Sequence, residues 1–308
     1  MHVEGSCGGC CFRGEVKQMG QFAEFIADIL ATPARLGFHR YLIVDAAATR
    51  PTNIAQALRL GHVATDILTG VDCVWTESAS PILVELPADA SQESVCRIAK
   101  ETLRKWRYAN CFVFLETTRA PHEAAAMLRE RTEAVLPDDM DVVLRFFDPR
   151  VFAALVEHLN VDARVAFLSG ATLWAIPDRR GEVQVIEQGT SDVSAPFISP
   201  MRLNSKEETA LIDAGEADAM VDLLLNQNND QLLAMIPPDQ HENVVVALAQ
   251  ARGFGIEDVP DQAAFCAAVL ALEVDFHARE PWVRLLREVT AGRIKFSEAA
   301  RLAAEVSA

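Results

Sequence analysis

Apolar and polar positions along the chain follow two regimes that change over near residue 200. Before that point, short apolar runs alternate with stretches of helical period. The runs are Tyr41-Leu42-Ile43-Val44, Pro81-Ile82-Leu83-Val84-Glu85-Leu86, Cys111-Phe112-Val113-Phe114-Leu115 and Val142-Val143-Leu144-Arg145-Phe146-Phe147. Each is brief and rich in β-branched or aromatic residues, as strands are. The run ending at Leu115 is apolar throughout, so both of its faces should be covered. Two further strands are predicted from Arg164 to Ile176 and from Glu182 to Ile186, joined by the turn Asp178-Arg179-Arg180-Gly181.

Helical spacing fills the intervals. Phe22, Phe25, Ile26 and Ile29 share one face of a helix that Thr32-Pro33 ends. Thr52 to Leu60 reads as a helix closed by Gly61. From Ser91 to Tyr108, a stripe of Val95, Ile98, Ala99, Leu103 and Trp106 leaves five basic residues on the remaining surface, and that basic stripe reads mainly as a solvated face. Pro121 to about Val135 is a further helix, and another begins directly after Asp148.

Residues 188–204 hold Gly, Thr, Ser and two prolines with little periodicity and read as a linker. Everything beyond is helical. Ser205 with Glu208 predicts a capping box, Pro237-Pro238 separates two helices, and further helices start near Asp261, Pro281 and Ser297. The fold class predicted is thus an α/β N-terminal lobe with a mixed sheet followed by an all-α C-terminal lobe. Its divisions are a Cys- and Gly-rich arm over residues 1–20, the α/β lobe over 21–187, the linker, and an acidic helical lobe over 205–308.

Charge narrows the partners. Residues 1–204 carry twenty basic against twenty-six acidic side chains, a balance of −6, and residues 205–308 carry eight against eighteen, a balance of −10. A field of that sign repels phosphate backbones, so nucleic acid is not expected as a partner, whereas basic polypeptides are. The first twenty residues offer no apolar core for a secretory leader, and no apolar run reaches the ~20 residues of a membrane span. A cytoplasmic protein without membrane insertion is expected, its seven cysteines (Cys7, Cys10, Cys11, Cys73, Cys96, Cys111 and Cys266) remaining reduced.

Motifs for catalysis fail one by one. Cys7, Cys10 and Cys11 have metal-ligand spacing but lack a second pair. His241-Glu242 opens like a zincin helix, yet Val245 stands where the second histidine is needed. Neither a Gly-rich phosphate loop nor a nucleophile elbow is present. The sharpest enzymatic idea is an acidic metal site centred on Asp45 at a strand end, weighed against a plain turn-capping aspartate. The sequence therefore predicts no catalytic residue, no cofactor and no metal, with the Asp45 metal enzyme as the alternative.

The segment Arg145-Phe146-Phe147-Asp148-Pro149-Arg150-Val151 ends a strand and opens a helix, with Asp148 as the cap and Pro149 in the first turn. Local structure does not explain the flanking arginines, since a cation in a first helical turn opposes the dipole. Asp148 itself, Asp45 or a ligand group could meet them, an internal ion pair being favoured.

Taken in order, the strands at Tyr41–Asp45, Ser80–Leu86 and Phe112–Thr117 and the corner at Arg145–Val151 make the chain resemble the adaptor chaperones that load effectors onto the type VI secretion spike. The resemblance covers about residues 41–175 and implies an α/β lobe followed by a helical lobe. It also implies that the protein binds a cognate secreted effector, keeps it soluble and helps load it onto the VgrG spike protein. A structural subunit of a secretion assembly is the remaining alternative. The partner-binding surface is expected to draw on Asp45, Arg145, Phe147, Asp148, Pro149 and Arg150 at the corner and on Glu207, Glu208, Asp213 and Glu216 of the acidic helix.

Overall fold

In a computed structural model, the residues described are 25, 28, 34–45, 64–68, 80–86, 112–180, 182–187, 196–227, 229–235, 237–272 and 275–307. The chain divides into two compact units, residues 1–214 and 215–308. The predicted arm, the helices at 52–60 and 91–108 and the start of the linker lie outside the described residues. Phe25 and Asp28, from the first predicted helix, are helical.

The first unit is organised by β1 (His39–Val44), flanked by β3 (Ile82–Glu85) on one side and β4 (Phe112–Thr117) on the other. With β2 (Ala64–Asp66), β7 (Leu173–Pro177) and β8 (Val183–Glu187) they form a six-stranded sheet in the order β2-β3-β1-β4-β7-β8, antiparallel at every pairing. A smaller sheet joins β6 (Asp141–Val143) antiparallel and β9 (Met201–Arg202) parallel to β5 (Glu133–Val135).

Successive side chains of a strand face opposite sides, and both sides of the large sheet are covered. On one, Tyr41, Ile43, Val113, Leu115, Trp174 and Ile176 join a core with residues of α1 (Pro121–Glu130), α2 (Pro149–His158) and α3 (Val161–Leu168). On the other, Leu42, Val44, Phe112 and Phe114 are also buried, and Phe25 meets the Phe114 ring edge-on at 6.1 Å. The continuous apolar run of β4 is explained by this double cover.

Three expectations are corrected here. Residues 164–168, read as the start of a strand running to Ile176, belong instead to α3, because Asn160 caps a helix at that point by accepting the Ala163 amide at 3.0 Å. The helix from Pro121 stops at Glu130, and 133–135 return as strand β5. The strand ending at Phe147 is shorter than predicted: β6 spans only Asp141–Val143 and a turn follows. The hairpin at Asp178 forms as expected: its side chain accepts the amides of Arg180 and Glu182, each at 2.8 Å.

Beyond β9 the chain is helical: α4 (Ser205–Asn226), through which the division between the units runs, then α5 (Asp230–Leu233), α6 (Pro237–Gly253), α7 (Val259–Leu272), α8 (Trp282–Thr290) and α9 (Phe296–Ser307). The second unit closes on aromatic side chains. Phe265 lies 5.1 Å from Phe296 and 5.5 Å from Phe276, whose ring is edge-on to Trp282 at 4.8 Å. Cys266 is buried beside Phe265, and burial pushes its thiol up to about 12. Asp261, also buried, accepts the amides of Phe296 at 3.0 Å and Ser297 at 3.1 Å and so caps α9 from a different helix. No helix among the described residues is long and apolar enough to cross a membrane.

Candidate functional site

The corner between β6 and α2 brings together most of the residues singled out in the sequence. Asp148 is the N-cap of α2, its Oδ1 accepting the Arg150 amide at 2.9 Å, and Pro149 occupies the first turn. The Arg150 guanidinium folds back onto the same carboxylate, with Nε 3.0 Å from Oδ1 and Nη2 2.7 Å from Oδ2. This bidentate pairing offsets the unfavourable position of a cation in the first turn. Phe147 is fully buried against Phe146 and anchors the turn in the core.

Arg145 reaches across the fold. Its Nη2 donates to Asp45 Oδ2 at 2.8 Å over a separation of 100 residues, and its guanidinium lies 5.5 Å from the Phe147 ring centroid. Asp45 follows the last residue of β1, so this pair ties the centre of the sheet to the corner. In both pairs the carboxylate is the buried partner. The Asp45 side chain is 4% exposed against 39% for Arg145, and that of Asp148 is 8% against 17% for Arg150. In each pair the arginine is the more exposed partner, although Arg145 Nε and Arg150 Nη1 are themselves buried. The carboxylate considered as the centre of a metal site faces a guanidinium, and among the described residues no group of three or more His, Cys, Asp or Glu stands ready to hold a metal ion.

The acidic helix divides differently. Glu207, expected on a partner-facing surface, is 3% exposed. Its Oε1 accepts the Asn160 amide at 3.0 Å and Asn160 Nδ2 at 2.7 Å, while its Oε2 accepts the Asn204 amide at 3.0 Å. Asn204 in turn accepts the amides of Lys206 and Glu207. The capping box is therefore Asn204 with Glu207, one residue earlier than Ser205 with Glu208. One carboxylate serves the N-termini of α3 and α4 together, and that role takes Glu207 out of any surface patch. Glu208 is half-buried, Asp213 is exposed, and Glu216 pairs with Arg252.

Sequence reasoning missed Arg131. This side chain is 2% exposed, and its Nε donates to Phe167 O at 2.7 Å and its Nη1 to Met127 O at 2.8 Å, with a further bond from Nη2 to Ser169 O. It stitches together the C-terminal ends of α1 and α3, where carbonyls outnumber amides and a cation is favoured. Burial draws its pKa down to about 10, which leaves it charged at neutral pH. The Phe197 ring lies 4.5 Å from the guanidinium carbon. A basic residue just after a helix is a visible signal, but the second helix it serves is not. Arg40 of β1, paired with Glu116 opposite it on β4 at 2.9 Å, was missed because which strands become neighbours is not written in either strand.

Beside Arg131 opens a surface cavity of about 470 Å³, lined by Arg119, Glu123, Met127, Ser169, Gly170 and Phe197 among others. An adjoining cavity of about 460 Å³ shares Arg119, Glu123 and Gly170 and adds three threonines. Among the described residues lining them, the hydroxyl side chains are Ser169 in the first and Thr117, Thr118 and Thr172 in the second.

A family profile described as a domain of unknown function (DUF4123) matches residues 40–166. No curated protein and no solved structure matches the chain. The matched segment runs from β1 to α3 and contains both ion pairs of the corner.

Proposed function

We propose that the protein is a non-enzymatic adaptor that binds a cognate type VI secretion effector, keeps it soluble and helps load it onto the VgrG spike. The observation that carries this reading is the family match over residues 40–166, since that family is known for type VI effector adaptors. The geometry is in keeping with it. At the corner, the carboxylates are engaged in holding the fold: Asp45 with Arg145, and Asp148 with Arg150 and the start of α2. An effector would be met by what stays outside, the exposed parts of the corner arginines and, separately, Glu208 and Asp213 of α4.

Co-expression with the effector gene encoded beside it tests the proposal. The expected result is a stable complex in size-exclusion chromatography and a higher soluble yield of effector. A neighbouring effector that neither co-elutes nor gains solubility refutes the adaptor role. A protein that binds several spike components, with no preference among effectors from related systems, would be a structural subunit instead.

A further inference from the structure

Among the described residues β8 is the last strand of the six-stranded sheet, and no strand pairs with its outer edge. Its register with β7 is unbroken from Leu173 opposite Glu187 to Pro177 opposite Val183, so the edge is regular and free of bulges. The sequence Val183-Gln184-Val185-Ile186-Glu187 contains neither lysine nor proline, the residues that usually guard such an edge. Val185 is 42% exposed, Gln184 and Glu187 are exposed, and Val183 and Ile186 are half-buried. A row of unused backbone donors and acceptors flanked by β-branched side chains is the template on which an extended peptide adds as a strand.

Charge decides what the occupant is. Exposed Glu182 and Glu187 bracket the apolar centre, with no basic residue between them. A second copy pairing antiparallel about Val185 would set Glu187 of each chain opposite Val183 of the other and bring no cation to Glu182 or Glu187 of either chain. An apolar segment with lysine or arginine at its ends turns the same two positions into attractive ones. We propose that the outer edge of β8 receives an extended, apolar segment with basic ends from the bound effector as a seventh strand. The identity of that polypeptide rests on the adaptor reading, whereas strand addition rests on the edge itself.

The test uses the whole protein and a short synthetic peptide of alternating valine and threonine with lysine at each end, followed by amide hydrogen exchange. Protection is expected at residues 183–187, lost when the peptide backbone is N-methylated and weakened by about tenfold when its ends are glutamate. Val185→Lys, at an exposed position, should reduce peptide binding by about tenfold and leave the melting temperature unchanged. No protection of β8 by the lysine peptide, or equal protection by its N-methylated form, overturns the inference. So does a dimer in sedimentation that Val185→Lys dissolves, since a second copy would then be the occupant.

The neighbouring effector separates the two readings. Capture by the wild type but not by Val185→Lys supports strand addition. Equal capture by both sinks it and leaves the adaptor standing. Failure of the wild type to capture the effector while the peptide still protects β8 sinks the adaptor alone.

Discussion

The two units hold buried carboxylates by different means. In the sheet-based unit, the buried Asp45 and Asp148 and the half-buried Glu116 are each met by an arginine, at 2.8, 2.7 and 2.9 Å respectively. In the helical unit, Asp261 is met by backbone amides at the start of α9 and Asp218 lies 4.0 Å from the His241 ring nitrogen, while the arginine pairs there, such as Arg279 with Asp275 and Arg301 with Glu305, lie at the surface. A strand inside a sheet has its amides engaged in the ladder, so Asp45 and Glu116, at the end of β1 and within β4, are met by cations, whereas Asp148, at the start of α2, takes both an amide and a guanidinium. A helix N-terminus has amides to spare. Of the acidic side chains described in residues 215–308, only Asp218 and Asp261 are buried, and the rest reach solvent. Glu207 shows the helical solution at work inside the first unit, where two helices begin side by side.

Several measurements would break or sharpen this contrast. The largest effect is expected at Arg131: Arg131→Met strips the cation from the ends of two helices and should cost about 3–5 kcal/mol in urea unfolding of the first unit. A loss below about 1 kcal/mol would mean that water serves those carbonyls equally well.

Next comes Arg145→Met, which leaves Asp45 buried without this cation. It should cost about 3 kcal/mol, and the double variant Asp45→Asn/Arg145→Met should cost less than the single one. Equal losses would show that the two side chains do not act as a pair.

In the helical unit, Asp261→Ala removes a cap and no charge pair, so a loss of about 1–2 kcal/mol is expected, with little dependence on salt. A strong salt dependence would place an ion pair at this site and erase the contrast. Cys266 reports on the same core. Its thiol, pushed up to about 12, should resist iodoacetamide at about pH 9 in the native protein and react on unfolding, as read by peptide mass mapping. The smallest effect belongs to Asp213→Lys, exposed on α4, with a stability change within about 0.5 kcal/mol. If α4 contacts the effector, this variant should weaken capture more at low salt than at high salt.

Local features of the site were legible because short-range chemistry sets them. Asp148 and Pro149 signal a helix start through one side-chain bond and one fixed dihedral, and both behave as read. The apolar run of β4 announced its double cover. Residues 164–168 differ from the strand expected of them because an apolar segment carries no period that separates a strand from a short buried helix. The deciding contacts, Asn160 to the Ala163 amide and Glu207 to Asn160, are one local and one distant. At the acidic helix, a glutamate three residues after either Asn204 or Ser205 fits the capping pattern, and burial chose the first.

By itself the sequence determined the two regimes of secondary structure, the acidic balance and the strand-to-helix corner, because periodicity, capping and net charge need no knowledge of where the chain returns. Only the tertiary structure decided that Arg145 meets Asp45 across 100 residues, that Arg131 and Glu207 are drawn inside, and that β8 ends the sheet of described strands. Such pairings depend on which elements become neighbours when the core closes, and a carboxylate or guanidinium has the same formula whether it finishes in solvent or against a helix end.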